Sequence, residues 1–273
     1  MELVLTLVVR VEKKARPAQT DALETAARAV LAILADERSH GEGEWAEAMA
    51  AWQDNRIRKI TKRARGIEWR RAEALPGITV RGYGTGSSVP AEDVAPSGAA
   101  ASGAAASEAP ASGAPASGAP ASEAPASGVA AAGAVASGVV AAEVRVFPPT
   151  GVDDVPPDLF KLQVSGTDFE DTADLPPLDP GVPVLWLNPT LEMSSGKAMA
   201  QCGHAAQLAW WGLSERARKE WEATGFELAV RTATPEHWRS LLTSNLPVVQ
   251  DAGFTEIAPG SRTVIADHPQ LRR

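Results

Sequence analysis

Five polar side chains stand out by type and spacing. Lys197, Gln201 and His204 fall at i, i+4 and i+7 of Met193-Ser-Ser-Gly-Lys-Ala-Met-Ala-Gln-Cys-Gly-His-Ala-Ala206, which a helix would gather on one face. Ala198, Met199, Ala200, Cys202, Ala205 and Ala206 between them are small or apolar. Ser194 or Ser195 is a good N-cap residue, so Lys197 falls in the first helical turn. A lone structural cation is misplaced there, because a helix N-terminus already carries partial positive charge and attracts anions. Asp251 and Thr255 flank Gly253 in Asp251-Ala-Gly-Phe-Thr-Glu-Ile-Ala-Pro-Gly260, where glycine permits a tight turn that brings them within reach of each other. An ammonium, an imidazole, a carboxylate and a hydroxyl are the parts needed to orient a water and stabilise an oxyanion.

Taken singly, each residue has a plainer reading: His204 a packed helix-face histidine, Asp251 a turn residue bonding nearby backbone, Lys197 a lysine reaching solvent, Cys202 a small packed side chain. Only their combination points to a site. Other chemistries lack their parts. The four histidines (His40, His204, His237, His268) and the lone Cys202 form no metal set. No serine nucleophile elbow and no phosphate-binding glycine loop occurs. The Trp210-Trp211 pair reads as core on one side, with base stacking the alternative.

The chain has 273 residues and a formal net charge of −8. The charge is uneven: residues 1–90 carry 15 Lys/Arg against 12 Asp/Glu, residues 91–178 carry 2 against 12, and residues 179–273 carry 9 against 10. The acidic excess therefore belongs to the middle. One cysteine allows no intrachain disulfide and suits a reducing compartment. Met1 to Val9 lacks the basic lead of a signal peptide, and no apolar run reaches membrane-spanning length. The expectation is a cytoplasmic protein without cofactor, metal or membrane.

The positioning elements alternate. Leu3–Val11 reads as a buried strand. A helix capped by Thr20 or Asp21 should run to about Ala35, and another over Glu44–Trp52. Arg56–Ala64 reads as a strand, Gly66–Leu75 as a short helix, and Ile78–Val80 and Glu143–Phe147 as strands. Further on, Val184–Leu187 is a strand. Helices follow over about Ser195–Trp211, from Ser214 through Trp221, and from Thr234 with Pro235 at its first position. Strands are expected at Phe226–Val230, Val248–Val249 and Thr263–Ala266. This alternation implies a small α/β layer fold.

Residues 87–140 are mostly Ala, Ser, Gly and Pro, with a five-residue repeat from Ala106 to Pro125. They cannot bury enough apolar surface to offset chain entropy, and are expected to be a disordered tether. Its flanks resemble each other. Trp52 and Trp69 stand 17 apart, as do Trp221 and Trp238, each pair followed by a proline turn and a final strand. We read a degenerate duplication: residues 1–86 with 141–150 as a first copy, 151–181 as an irregular connector, and 182–273 as the copy that carries the chemistry. Aligned at their first strands, the copies place Gln19 opposite Lys197 and Ala26 opposite His204.

The two stretches Met193–Ala206 and Asp251–Val264 closely resemble type 2 peptidyl-tRNA hydrolases, over about residues 182–269. The resemblance implies a small mixed four-stranded sheet flanked by helices. It also implies metal-independent cleavage of the ester joining a peptide to the 3′ ribose of tRNA. It assigns Lys197, His204, Asp251 and Thr255 to catalysis, with Gly196, Gln201 and Gly253 at the substrate. Phe254 and Asn188 stand where the family usually has arginine, and Arg10 keeps that place in the first copy. Since family members often pair, the duplication implies a monomer that is an internal pseudo-dimer. Arg56–Arg81 holds nine Lys/Arg and two acids; Arg58, Lys59, Lys62 and Arg63 are expected to bind the tRNA body. The alternative is a non-catalytic tRNA- or ribosome-associated module of the same fold.

Overall fold

The computed structural model describes residues 2–13, 15–84, 140–253 and 256–272. All but one residue of the expected 87–140 tether, together with Phe254 and Thr255, lies outside the described residues. In the first half, β1 (Leu3–Arg10), β2 (Lys59–Ala64), β3 (Ile78–Arg81), β4 (Glu143–Val146) and β5 (Thr150–Gly151) alternate with α1 (Gln19–Ala35), α2 (Ala46–Gln53) and α3 (Gly66–Glu73). The connector expected to be irregular contains a short helix, α4 (Pro157–Phe160). The second half comprises β6 (Val184–Leu187), α5 (Ser195–Gly212), α6 (Glu215–Ala223), β7 (Ala229–Thr232), α7 (Pro235–Leu241), β8 (Val248–Gln250) and β9 (Arg262–Asp267).

Two mixed sheets result, ordered β2-β1-β4-β3 and β7-β6-β9-β8, with β5 added to β1. In each, the first pair is parallel and the next two are antiparallel. The α/β architecture inferred from the alternation is thus present twice, in one topology. A side-chain bond repeats too: Trp52 Nε1 donates to the Arg58 carbonyl at 3.0 Å and Trp221 Nε1 to the Glu227 carbonyl at 2.8 Å, each six residues on. An internal duplication requires such correspondences.

Two local expectations are corrected. Thr20 and Asp21 do not cap α1; Ala18 is the N-cap residue and supplies no side-chain bond. The cap comes from Asp171, which accepts the Thr20 N–H at 2.9 Å and its hydroxyl at 2.6 Å. Asp21 is then free to accept the N–H groups of Tyr83 (3.1 Å) and Ala142 (2.7 Å). Strand β7 begins at Ala229, not at Phe226, because Gly225 and Phe226 turn the chain with φ of +66° and +60°. Phe226 packs instead against the edges of Trp210 and Trp221.

The halves share one core. Leu7, Val9, Ala26 and Val30 belong to the same buried cluster as Leu185, Met199, Ala205 and Val264. At its centre α1 packs on α5 through small side chains. A Cβ on Gly203 would stand 2.9 Å from Val30 Cγ2 and 3.4 Å from Lys59 Cδ, so glycine sets the separation. No helix among the described residues is long and apolar enough to cross a membrane.

Glu24 of α1 ties the halves through polar atoms. It accepts the Val230 N–H of edge strand β7 at 2.9 Å and lies 3.5 Å from Arg231. Burial pushes its carboxyl from 4.5 up to about 7, against the opposing pull of that N–H and of Arg231. The folded chain therefore keeps a proton that the unfolded chain releases. This contribution to stability is full below 4.5 and is lost as pH rises through about 7. Glu24→Gln should stabilise the protein at about pH 8 by on the order of 1–3 kcal/mol, with no gain at acid pH, as measured by urea unfolding at both values.

Candidate active site

The N-terminus of α5 is held from three sides. Ser194 caps it, accepting the Lys197 N–H at 3.2 Å. The Glu256 carboxylate accepts both the Ser194 N–H (2.9 Å) and its hydroxyl (2.7 Å), placing a negative charge where the helix dipole favours one. The connector crosses above: the Phe169 N–H bonds Ser195 Oγ at 2.9 Å, and the Thr167 side chain fills the space that a Cβ on Gly196 would need. Gln163, Val164, Ser165, Gly166, Asp168, Ser194 and Glu256 line a cleft at this end of the helix.

Asp251 follows β8 directly. Its N–H reaches the Ser261 carbonyl at 2.9 Å and its carbonyl accepts the Gly260 N–H at 2.7 Å, which closes the loop at its base. Its side chain takes three donors. Lys197 Nζ lies 2.6 Å and Gln201 Nε2 2.8 Å from Oδ2, and the Gly253 N–H lies 2.8 Å from Oδ1. Gly253 has φ +78°, a conformation that glycine adopts without strain. The Lys197 and Asp251 side chains are 12% and 8% exposed, so the ion pair is largely desolvated. The Gln201 amide is fixed from behind by Thr263, whose hydroxyl donates to Oε1 at 2.6 Å. Helix α5 thus delivers an ammonium and an amide, one turn apart, to a single carboxylate.

His204 does not join this group. It faces the first half, where Lys59 Nζ lies 3.1 Å from its Nδ1. Burial, followed by the positive charges of Lys59 and Lys197, holds its imidazole well below the ordinary range.

The ammonium–carboxylate–amide group lies wholly inside a segment that matches a known family. The family model described as peptidyl-tRNA hydrolase PTH2 matches residues 182–272. Among curated relatives, "Peptidyl-tRNA hydrolase 2, mitochondrial" of Bos taurus is 38% identical over 96 residues, covering 32% of this chain and 54% of that protein. The protein of the same name in Homo sapiens is 35% identical over 96 residues, with the same coverage. In Mus musculus the identity is 40% over 98 residues, covering 32% and 53%. The chain spans about half the length of the curated relatives it matches.

Outside the PTH2-matching segment, the expected phosphate surface is cut back. Lys59 and Lys62 are turned inward, while Arg58 and Arg63 stay partly exposed. Lys59 and Lys62 are each 8% exposed. Lys62 donates to the carbonyls of Phe160 (3.0 Å) and Leu162 (3.3 Å). Arg63 holds the Ser165 carbonyl at 2.8 Å and the Gln163 side chain, and Arg58 pairs with Glu2 at 3.0 Å. These cations fasten the connector and the first strand.

The strand-based alignment is also corrected. Counting from the N-caps, Ala18 and Ser194, the third helical residue is Lys197 in α5 and Asp21, not Gln19, in α1. The place of the ammonium is thus taken in the first half by a carboxylate closed onto backbone N–H groups.

Sequence reasoning missed Glu256, Thr167 and Thr263, each of which meets α5 across a long stretch of chain. Thr263→Val removes the donor that orients Gln201 and leaves a buried carbonyl oxygen unpaired, which should cost about 1–3 kcal/mol. Thermal unfolding of the variant measures this directly.

Proposed function

We propose that the protein hydrolyses the ester bond of peptidyl-tRNA, releasing peptide and free tRNA. The desolvated contact of Lys197 and Gln201 with Asp251 supports this reading most strongly, together with the PTH2 match over the segment that contains it. Three donors hold the Asp251 carboxylate in one orientation. A carboxylate has about four lone-pair sites, so Oδ1 keeps one with which to hold a water, and Thr255 helps orient that water. The water oxygen attacks the ester carbon, and its proton passes to Asp251. The carbonyl oxygen becomes an oxyanion, stabilised by Lys197 at the positive end of α5. Collapse of the intermediate breaks the bond to the 3′ ribose oxygen, which takes up the proton. His204 stands apart from Lys197, Gln201 and Asp251, with Nδ1 against Lys59, and acts on the substrate through its other ring nitrogen. No step calls on a metal or cofactor.

The second half carries the chemistry in this reading, and the first acts as a built-in partner. Its α1 covers one face of α5, which supports reading the working form as a monomer. A reducing compartment such as the cytoplasm suits the lone, buried Cys202.

Peptide release from purified peptidyl-tRNA tests the proposal. Lys197→Ala and Asp251→Asn should each lower the single-turnover rate on the order of 10²–10³-fold. Release by Lys197→Ala at the wild-type rate would remove the assignment. Wild-type binding of tRNA without release would instead identify a non-catalytic module.

A further inference from the structure

We propose that the first half completes the site from across the helix pair: Lys59 is a positioning residue that holds His204 neutral, with its proton on Nε2. This rests on the hydrolase reading for its consequence, though not for its geometry.

Lys59 opens β2 and points into α5. Its Nζ lies 2.5 Å from Gln207 Oε1, 3.1 Å from His204 Nδ1 and 3.5 Å from the Ile57 carbonyl. The Trp52 ring centroid is 4.7 Å away. An ammonium has three hydrogens and no lone pair. Three acceptors and an aromatic face meet it here, and all of them are uncharged. Burial draws this amine well below its ordinary range; the acceptors and the ring face work against that pull.

With Lys59 an ammonium, the form that three acceptors and a ring face favour, the contact sets the state of the imidazole. A nitrogen that accepts from an ammonium must carry its lone pair, so Nδ1 is unprotonated and the ring proton sits on Nε2. Protonation of Nδ1 would set N–H against N–H between two cations. Lys59 from β2 and Lys197 from α5 are the charges that act on His204, both in the same sense. Helix α1, which packs on α5, brings no counter-charge: Asp21 closes on Tyr83 and Ala142, Glu24 on Val230, and Arg28 on the Tyr83 ring. The Lys59 stem runs over Gly203, where a Cβ would meet its Cδ at 3.4 Å, an ordinary contact distance. His204 therefore reaches the reaction as a fixed donor through Nε2–H, in a state set by a residue outside the PTH2-matching segment.

Histidine 15N resonances of the full chain, with His204 assigned by comparison with His204→Gln, test this. Wild-type His204 should show the Nε2–H pattern and stay neutral well below the ordinary midpoint of 6.5. In Lys59→Met the tautomers should mix and the midpoint rise by about one pH unit or more, whereas Lys59→Arg should keep the wild-type pattern. The acid limb of the peptide-release profile should move with the midpoint. A wild-type His204 that carries its proton on Nδ1, or that titrates near 6.5, would overturn the proposal even if Lys59→Met does not fold. So would an unchanged His204 in a folded Lys59→Met. If Lys197→Ala releases peptide normally, the hydrolase reading falls while the resonances still decide the role of Lys59.

Discussion

Close approach of two helices sets everything else in this molecule. Helices α1 and α5 meet through alanines and a glycine, with Val30 filling the space that a Gly203 side chain would occupy. Interiors pack at crystal-like density, so an added methyl group at such a contact has nowhere to go without moving a helix. Small side chains bury little area individually, but they let backbone and longer neighbours dock on both sides. The sheet of each half lies behind its own helix, and a single buried cluster runs through both. The position of α5 relative to its own sheet, and therefore of Lys197 relative to Asp251, is thus fixed partly by a helix from the other half.

Within that packing, charges are placed where stability alone would not put them. A largely desolvated ion pair roughly breaks even against apolar side chains of the same size. Lys197 also stands at the helix end that disfavours cations. Two carboxylates offset it: Asp251 at its ammonium and Glu256 on the backbone of Ser194. The first half solves the same structural problem more simply. Asp171 caps α1, and Asp21, at the place of Lys197, bonds loop backbone. Both solutions tie a helix N-terminus to the far end of a sheet, yet only one leaves an ammonium, an amide and a carboxylate converging beside a cleft.

Local pattern revealed much of this. The Ser195–Gly212 helix, its serine cap, the strand at Val184–Leu187 and the threonine-proline start of α7 follow from period, cap chemistry and proline placement, which act over a few residues. The meeting of Lys197 and Asp251 was legible because both belong to recognisable motifs. The rest depended on contacts that span the chain. Asp171 caps a helix 151 residues away, and Lys59 reaches His204 across 145. The basic stretch misled for a related reason. Density of Lys and Arg along a chain says nothing about which face of a strand is covered, and β2 is covered on both: Lys59 by α5, Lys62 by the connector.

The shared topology and the unequal chemistry of the halves are linked by geometry. In a pair of identical subunits related by a twofold, each partner must both carry a site and support its neighbour's. Within one chain those duties can separate. Where α5 carries the Lys197 and Asp251 pair, α1 carries none and can be shaped by fit alone. Its half can then place side chains against α5 that a symmetric partner could not spare, because every residue of a symmetric pair sits in both roles at once. Lys59 is such a residue. It is buried among neutral acceptors and touches the one histidine on the helix that holds the site. The asymmetry between the halves is on this view a division of labour, in which the half without an ammonium at its helix N-terminus provides the environment for the half with one.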